Sequence, residues 1–312
     1  MRTEINSADE LYKNIDTPHT FRDPDAAHLT INHDKVIEMH SVSGLIVNTE
    51  EIEDGIEVKM HLEDNTVIEK DVHLCFGMLP EKGIQRIVME VNIGDNSNIS
   101  LLAHCIFPFA VDVQHLMDAE INIGEGSSYK YYERHVHSPQ GGVKVVPKAL
   151  VNVAKGAEFR TEFELIKGRV GSIDIDYETN CDADSIVEMV ARISGREDDI
   201  IKLKEIAHLN GENSRGVLTS KIAVRDSARA EIYNKLTASA AYARGHVDCK
   251  EIVQDHAVAT ALPIVEVHHP KAHITHEAAL GSVDNKQLDT LMSRGLSEDD
   301  AVELIIDGLL GE

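Results

Sequence analysis

Four histidines fall close together near the end of this chain: His268, His269, His273 and His276, with Glu277 beside the last. Imidazole and carboxylate both ligate metals, and their density makes the stretch a candidate metal site. If it runs as one extended strand, a period of two puts His268 and His276 on one face and His269, His273 and Glu277 on the other. All five then cannot converge on one ion. Surface histidines around a turn at Pro270 are the plainer alternative. Upstream of Glu277 stands Cys249, with His246 shortly before it. A thiolate, a carboxylate and an imidazole form a mixed soft and borderline ligand set, suited to iron, zinc or an iron-sulfur species more than to magnesium.

What joins Cys249 to Glu277 is a repeat. Val91-Asn92-Ile93-Gly94-Asp95-Asn96-Ser97 recurs as Ile121-Asn122-Ile123-Gly124-Glu125-Gly126-Ser127 and as Val151-Asn152-Val153-Ala154-Lys155-Gly156-Ala157. Fainter echoes begin at Thr179 and Ala207, and Arg225-Asp226-Ser227-Ala228 resembles Gln254-Asp255-His256-Ala257. Short β-branched strands punctuated by Gly, Asn, Asp and Ser at this even spacing predict a β-solenoid whose coils stack in parallel. A β-sandwich with evenly spaced turns is the competing fold. In a solenoid, Glu277 lies about one coil beyond Cys249, to within a residue of register. The two side chains are then expected on adjacent rungs roughly 5 Å apart, with His246 as a nearby auxiliary.

The flanks have other textures. Ser7-Ala8-Asp9-Glu10 is a capping-box pattern ahead of Leu11, Tyr12 and Ile15, which predicts a short helix. Ile56, Val58, Met60 and Leu62, then Glu63-Asp64-Asn65, then Val72, Leu74 and Phe76 read as strand, turn, strand. The organisation expected is an N-terminal segment over residues 1–65, a β-helix core over 66–281 and a helical segment over 282–312. In the last, Asp284 caps a helix carrying Leu288, Leu291 and Met292, Gly295 stops it, and Ser297 starts another. Ala301, Leu304, Ile305 and Leu309 form an apolar stripe on that second helix. Pattern alone leaves open whether the stripe packs on the β body or binds another protein.

Composition removes several function classes. A formal charge of −24, from 54 acidic and 30 basic residues, argues against nucleic acid as a partner. No run of eighteen apolar residues and no apolar leader core predict neither a membrane span nor export, hence a cytoplasmic protein. Cys75, Cys105, Cys181 and Cys249 are far apart and lack a C-x-x-C pair, so buried thiols are expected rather than a disulfide framework or a zinc ribbon. There is no Trp, and aromatic residues make up only 4%, which weakens readings that need stacking platforms. No phosphate-binding glycine loop, G-x-S-x-G elbow or outstanding carboxylate pair occurs, so the chain is expected to bind no nucleotide of its own.

The run His276-Glu277-Ala278-Ala279-Leu280-Gly281, followed by Gln287-Leu288 and Ser293-Arg294-Gly295-Leu296-Ser297-Glu298-Asp299-Asp300-Ala301, resembles the C-terminal signature of the SufB/SufD family of iron-sulfur assembly scaffolds. Asn213-Ser214-Arg215-Gly216 and Gly245-His246-Val247-Asp248-Cys249 fit the same family. The resemblance implies a right-handed parallel β-helix and a C-terminal helical part that docks a SufC-like ABC ATPase. It also implies pairing of two β-helix chains, as a homodimer or with a related chain, and transient assembly of an iron-sulfur cluster near that interface. A sulfur donor and cluster-accepting apo-proteins are implied as further partners.

Carried over residue by residue, the family's functional cysteine falls on Cys249 and its motif glutamate on Glu277, with His273, His276 and His246 as weaker metal candidates. The ATPase contact would involve Leu288, Leu291, Met292, Arg294, Gly295, Leu296, Ala301, Leu304, Ile305 and Leu309. The chain is shorter than many family members, and the missing part is expected to be N-terminal. The expected function is therefore a non-enzymatic scaffold of a SUF-type complex. The alternatives are a β-helical metal-dependent hydrolase or lyase and a purely structural adaptor for the ATPase.

Overall fold

The computed structural model describes residues 8–15 and 18–311. Its unit is a rung of two extended strands joined by tight turns. The strands are β1 (His28–Asn32), β2 (Lys35–His40), β3 (Leu45–Ile52), β4 (Gly55–Leu62), β5 (Val72–Gly77), β6 (Lys82–Ile93), β7 (Asn98–Phe107), β8 (Asp112–Ile123), β9 (Ser128–His137) and β10 (Val143–Val153). They continue as β11 (Glu158–Lys167), β12 (Ser172–Cys181), β13 (Ile186–Gly195), β14 (Ile200–Leu209), β15 (Arg215–Val224), β16 (Arg229–Ala238), β17 (Arg244–Val253), β18 (Val258–Val267) and β19 (His273–Gly281). From β5 onward the odd-numbered strands stack in parallel in one sheet and the even-numbered strands in the other. The chain is thus a β-solenoid of about eight turns followed by helices, as the repeat predicts.

The sequence repeats are the rungs themselves. Val91, Ile121, Val151, Thr179 and Ala207 are successive ladder partners. Each motif recurs because its turn needs one residue in the left-handed region: Asn96 at φ 54°, Gly126 at 65°, Gly156 at 67°, Asp184 at 58° and Asn213 at 60°. Gly, Asn and Asp occupy that region at least cost. In most of these turns a serine follows and closes the turn from inside. Ser185 Oγ donates to the Asp182 carbonyl at 2.6 Å and Ser214 Oγ to the Gly211 carbonyl at 2.7 Å. The asparagine of each motif forms a second ladder. Asn122 Nδ2 donates to Asn92 Oδ1 at 3.1 Å, Asn152 Nδ2 to Asn122 Oδ1 at 3.0 Å and Asn180 Nδ2 to Asn152 Oδ1 at 3.3 Å.

The two ends of the solenoid differ. At the start, β1 pairs in parallel with β5 and antiparallel with β2, while β4 pairs in parallel with β6 and antiparallel with β3. Both sheets therefore continue upstream of residue 66, and the boundary expected at 65/66 falls inside them rather than between two bodies. Ser7 lies outside the described residues; residues 8–12 are helical (α1) and are followed by a 3-10 turn at Pro18–Arg22. Leu11, Tyr12, Ile15 and Phe21 from this segment pack on Cys75 and Ile106, covering the outer side of the odd-numbered sheet.

At the other end, β19 and β18 are the last strands of their sheets, with no further strand beyond them among the described residues. Val258, Leu262, Val267 and Leu280 are exposed there. The chain then leaves as α2 (Asn285–Met292), whose cap Asp284 accepts from the Gln287 amide at 2.8 Å. It turns at Gly295 and re-enters as α3 (Glu298–Leu310), capped by Ser297. The apolar contact of α3 is one step round the helix from the expected stripe: Ile306 and Leu310 are buried, and Val302 partly buried, against Ile166, Ala223 and Ile252. Glu303 fixes this seat through Arg225 Nη1 at 2.6 Å and through Arg196. Of the expected stripe only Ala301 is buried; Leu304 is half exposed and lines, with Ile305, a groove shared with Gln287, Thr290 and Leu291 of α2. No described helix is long and apolar enough to cross a membrane.

The ladder predicts a graded stability effect. Asn152→Ala removes two side-chain hydrogen bonds and is expected to destabilise the protein by about 1–3 kcal/mol, against about half that for Asn180→Ala, which removes one of these ladder bonds. Denaturant unfolding of the two variants measures the difference.

Candidate functional site

Register decides which side chains can meet. In the pairing of β17 with β19, Glu277 lies opposite Asp248, and Cys249 lies opposite Ala278. The coil at this point is one residue longer than the Cys249 to Glu277 spacing, and one residue inverts the face. Cys249 is buried in the interior, whereas Glu277 is exposed on the outer side with Asp248 and Lys250. The two are therefore not rung neighbours, which corrects the expectation drawn from spacing.

The histidines divide as well. A turn over residues 268–272 separates β18 from β19, with the Lys271 amide donating to His269 Nδ1 at 3.1 Å, so His268 and His269 belong to a surface turn. His276 is in register with the buried Val247 and shares the parity of Cys249. His273 is in register with Arg244, and His246 Nδ1 is hydrogen-bonded to Thr275 Oγ1 at 2.8 Å on the exposed side. Of Cys249, Glu277, His276, His273 and His246, the first and third therefore share the inward parity and the other three the outward one.

Cys249 has interior company that the sequence reading missed. Ser220 is its ladder partner on β15. The Asn234 amide lies 3.7 Å from its sulfur and, with its nitrogen toward Glu205, donates to Glu205 Oε2 and to the Tyr233 carbonyl at 3.3 Å each. Ser220 Oγ donates to Glu251 Oε1 at 3.3 Å, and Glu251 Oε2 is buried without a hydrogen-bond partner among the described residues. Burial raises Glu205 to about 8 and Glu251 to about 7. Burial also raises the Cys249 thiol, with Glu251 and Glu205 adding to the rise and Ser220 opposing it. A thiol next to a carboxylate held near neutrality can hand over its proton when a metal takes the sulfur.

A denser polar cluster sits further up the interior. Cys105 on β7, His115 on β8 and Glu133 on β9 are fully buried, and their ligand atoms lie within 4.8 Å of one another. Cys105 Sγ is 3.8 Å from His115 Nε2 and 3.7 Å from Glu133 Oε1, and His135, the ladder partner of Cys105, brings Nε2 to 2.7 Å from Glu133 Oε1. Burial raises Glu133 and pushes the Cys105 thiol well up, while it lowers His115, His135 and His137 to about 3. The signal for this cluster was in the chain. Tyr129, Tyr131, Glu133, His135 and His137 alternate along one inward face, so three polar residues occupy core positions. Imidazole, thiol and carboxylate converging in a dry interior suit a transition-metal ion more than a hard cation.

Comparison with known proteins agrees with the fold. A family model described as the SufBD core domain of SUF-system FeS cluster assembly matches residues 77–309. The chain is 36% identical over 284 residues to an iron-sulfur cluster assembly SufBD family protein of Methanocaldococcus jannaschii, covering 91% of this chain and 90% of that one. It is 34% identical over 309 residues to one from Pyrococcus horikoshii, covering 99% and 94%. A further P. horikoshii SufBD family protein is 27% identical over 259 residues, 80% of this chain and 56% of that longer one.

The buried groups set a pH profile for the metal-free protein. Between about 3 and 6.5 the unfolded chain binds protons that the folded His115, His135 and His137 refuse, so stability is complete above 6.5 and falls as pH drops. Glu205 has the opposite sign: raised from 4.5 to about 8, its contribution is complete below 4.5 and is lost as pH rises through 8. Below 4.5 only the histidines act and above 6.5 only the raised carboxylates, so thermal melts should fall off on both sides of the 4.5–6.5 window, and Glu205→Gln should shrink the decline from 6.5 to 8. A wild-type profile flat over that upper window would contradict a neutral buried Glu205.

Proposed function

The chain belongs to the SufBD family of iron-sulfur cluster assembly proteins, and from that premise we propose that it is the scaffold of a SUF-type complex, receiving iron and sulfide at the C-terminal end of its solenoid. The observation that carries this reading is the make-up of the last turn. At this end β18 and β19 have no outer partner among the described residues, exposed apolar residues flank them, and the buried Cys249 lies one strand inside β19. An open edge is a template for another chain, which supports pairing through β18 and β19. The chain is read as a homodimer, with a related β-helix chain as the other pairing candidate.

Cys249 is the proposed thiolate ligand. Glu251, raised to about 7, is the nearby acceptor for its proton. His276 is favoured over His273 and His246 because it shares the inward parity of Cys249. Glu277 is kept as the family-implied carboxylate or proton acceptor. Its outward position on an edge strand fits a role at the paired surface rather than beside Cys249 within one chain. An ABC-type ATPase is proposed to dock on α2 and α3, where Met292 and Leu304 are exposed and Leu291 and Ile305 line the groove. The seat of α3 on β11, β15 and β17 gives that partner a mechanical connection to the strand carrying Cys249. The chain itself carries out no hydrolysis in this reading.

Anaerobic reconstitution with ferrous iron and sulfide tests the ligand. Cys249→Ala is expected to lose the wild-type cluster spectrum, and retention of that spectrum overturns the assignment. Met292→Asp with Leu304→Asp is expected to weaken capture of the SUF ATPase at least tenfold without lowering the melting temperature of the scaffold. Light scattering checks the pairing: a monomer both alone and with the ATPase refutes the dimer.

A further inference from the structure

We propose that the solenoid interior also holds a mononuclear site for a divalent transition-metal ion, ligated by Cys105, His115, Glu133 and His135 and separate from Cys249. Hydrogen bonding fixes the histidine tautomers, and this is the main argument. Gln85 Nε2 donates to the His33 and Gly77 carbonyls, both at 2.9 Å, so Gln85 Oε1 is left as an acceptor, 3.0 Å from His115 Nδ1. His115 must therefore carry its proton on Nδ1, and its Nε2 lone pair faces Cys105 Sγ.

The second histidine is set by a longer chain of bonds. His137 Nδ1 lies 3.0 Å from the Arg169 carbonyl, an acceptor, and so donates to it. In the neutral ring His137 Nε2 is then an acceptor, 3.1 Å from His135 Nδ1, which places the His135 proton on Nδ1. His135 Nε2 is left with a lone pair 2.7 Å from Glu133 Oε1. Two acceptors at that distance need a cation between or beside them. Without metal it is one proton shared with Glu133; with metal it is the ion. A histidine held through its far nitrogen by an acceptor is the arrangement that metal-ligating imidazoles adopt; Gln85 Oε1 supplies that acceptor to His115 and His137 Nε2 supplies it to His135.

Distance and charge agree with this reading. Tetrahedral coordination with a metal–sulfur bond of about 2.3 Å and a metal–nitrogen bond of about 2.05 Å separates the two donors by about 3.6 Å, close to the observed 3.8 Å between Cys105 Sγ and His115 Nε2. On loading, the ion forms bonds to Cys105 sulfur and a Glu133 oxygen and displaces two protons, one from the thiol and one from the Glu133–His135 pair. Loss of the second proton frees His135 Nε2 to turn onto the ion as fourth ligand. Two protons leave and one doubly charged ion enters, so the net charge of the buried cluster does not change. That balance avoids the burial of an uncompensated charge. The mixed N, O and S set selects zinc or ferrous iron over magnesium or calcium. Enclosure between the two sheets makes release slow in the folded protein.

Cobalt(II) supplies a readout independent of cluster assembly. Full-length protein produced with Co2+ and dialysed against a chelator is expected to keep about one cobalt per chain and a thiolate-to-cobalt charge-transfer band. The band should persist in Cys249→Ser, disappear in Cys105→Ser, and be lost with the metal when the wild type is unfolded. Gln85→Leu leaves every ligand in place but releases the His115 tautomer, and is expected to lower cobalt retention by about 10–100-fold. It decides the matter if Cys105→Ser does not fold. Metal analysis of parallel preparations with zinc and ferrous iron identifies the preferred ion. Folded wild type without bound cobalt, or a band that survives in Cys105→Ser and vanishes in Cys249→Ser, overturns the proposal.

Discussion

In-register parallel stacking is the interaction on which everything else in this molecule depends. Each rung contributes backbone donors and acceptors that only the next rung can satisfy, so each coil must return the chain to the same lateral position. The coils absorb their differences in length in the turns, while parity along the strands is kept. This is why the left-handed positions at Asn96, Gly126, Gly156, Asp184 and Asn213 matter more to the fold than any single apolar contact. A residue that refuses that conformation would shift a strand by one position and exchange its inner and outer faces.

The same constraint determines what the interior can contain. Inward positions form continuous columns, and a polar residue in a column finds partners only in its own rung, in the rungs above and below, or across in the facing sheet. Gln85 and His115 are partners along one sheet, Cys105, Glu133 and His135 along the other, and Cys105 faces His115 across the gap. Leaving such groups unpaired would cost about 1–3 kcal/mol each, and a solenoid with an all-apolar column at those positions would avoid the cost altogether. Their presence is therefore a requirement of function or of specificity rather than of stability.

The fold was legible in the sequence because its signal is additive: every coil repeats the same turn chemistry, so weak local matches at Thr179 and Ala207 confirm strong ones at Val91 and Ile121. The site was legible only in part. Cys249 and Glu277 were picked by a spacing argument that needed the period to the residue, and the period varies along the chain. An offset of one residue leaves a fold assignment intact and reverses a site assignment, since it moves Glu277 from the side of Cys249 to the outer face. The cluster around Glu133 was missed for a different reason. Its members come from different rungs and carry no motif, and only tracing parity onward from Tyr129 places Glu133, His135 and His137 indoors. In the helices, capping residues were readable because Asp284 and Ser297 act locally, whereas the choice of Ile306 and Leu310 over Leu304 and Leu309 depends on where Arg196 and Arg225 hold Glu303.

The two interior clusters differ in a way that follows from position along the stack. Around Cys105 there are rungs on both sides, every imidazole has a defined partner, and the geometry is closed. Around Cys249 one strand remains before the stack ends, Glu251 keeps an oxygen without a hydrogen-bond partner among the described residues, and a second carboxylate stays protonated two rungs back at Glu205. A closed, fully satisfied set holds a ligand tightly and releases it slowly. An incompletely satisfied set beside an open sheet edge suits a ligand that must be gained and then surrendered, because its remaining donors can come from whatever covers the edge. Transient cargo therefore belongs at the end of the solenoid, and any resident ion in its middle.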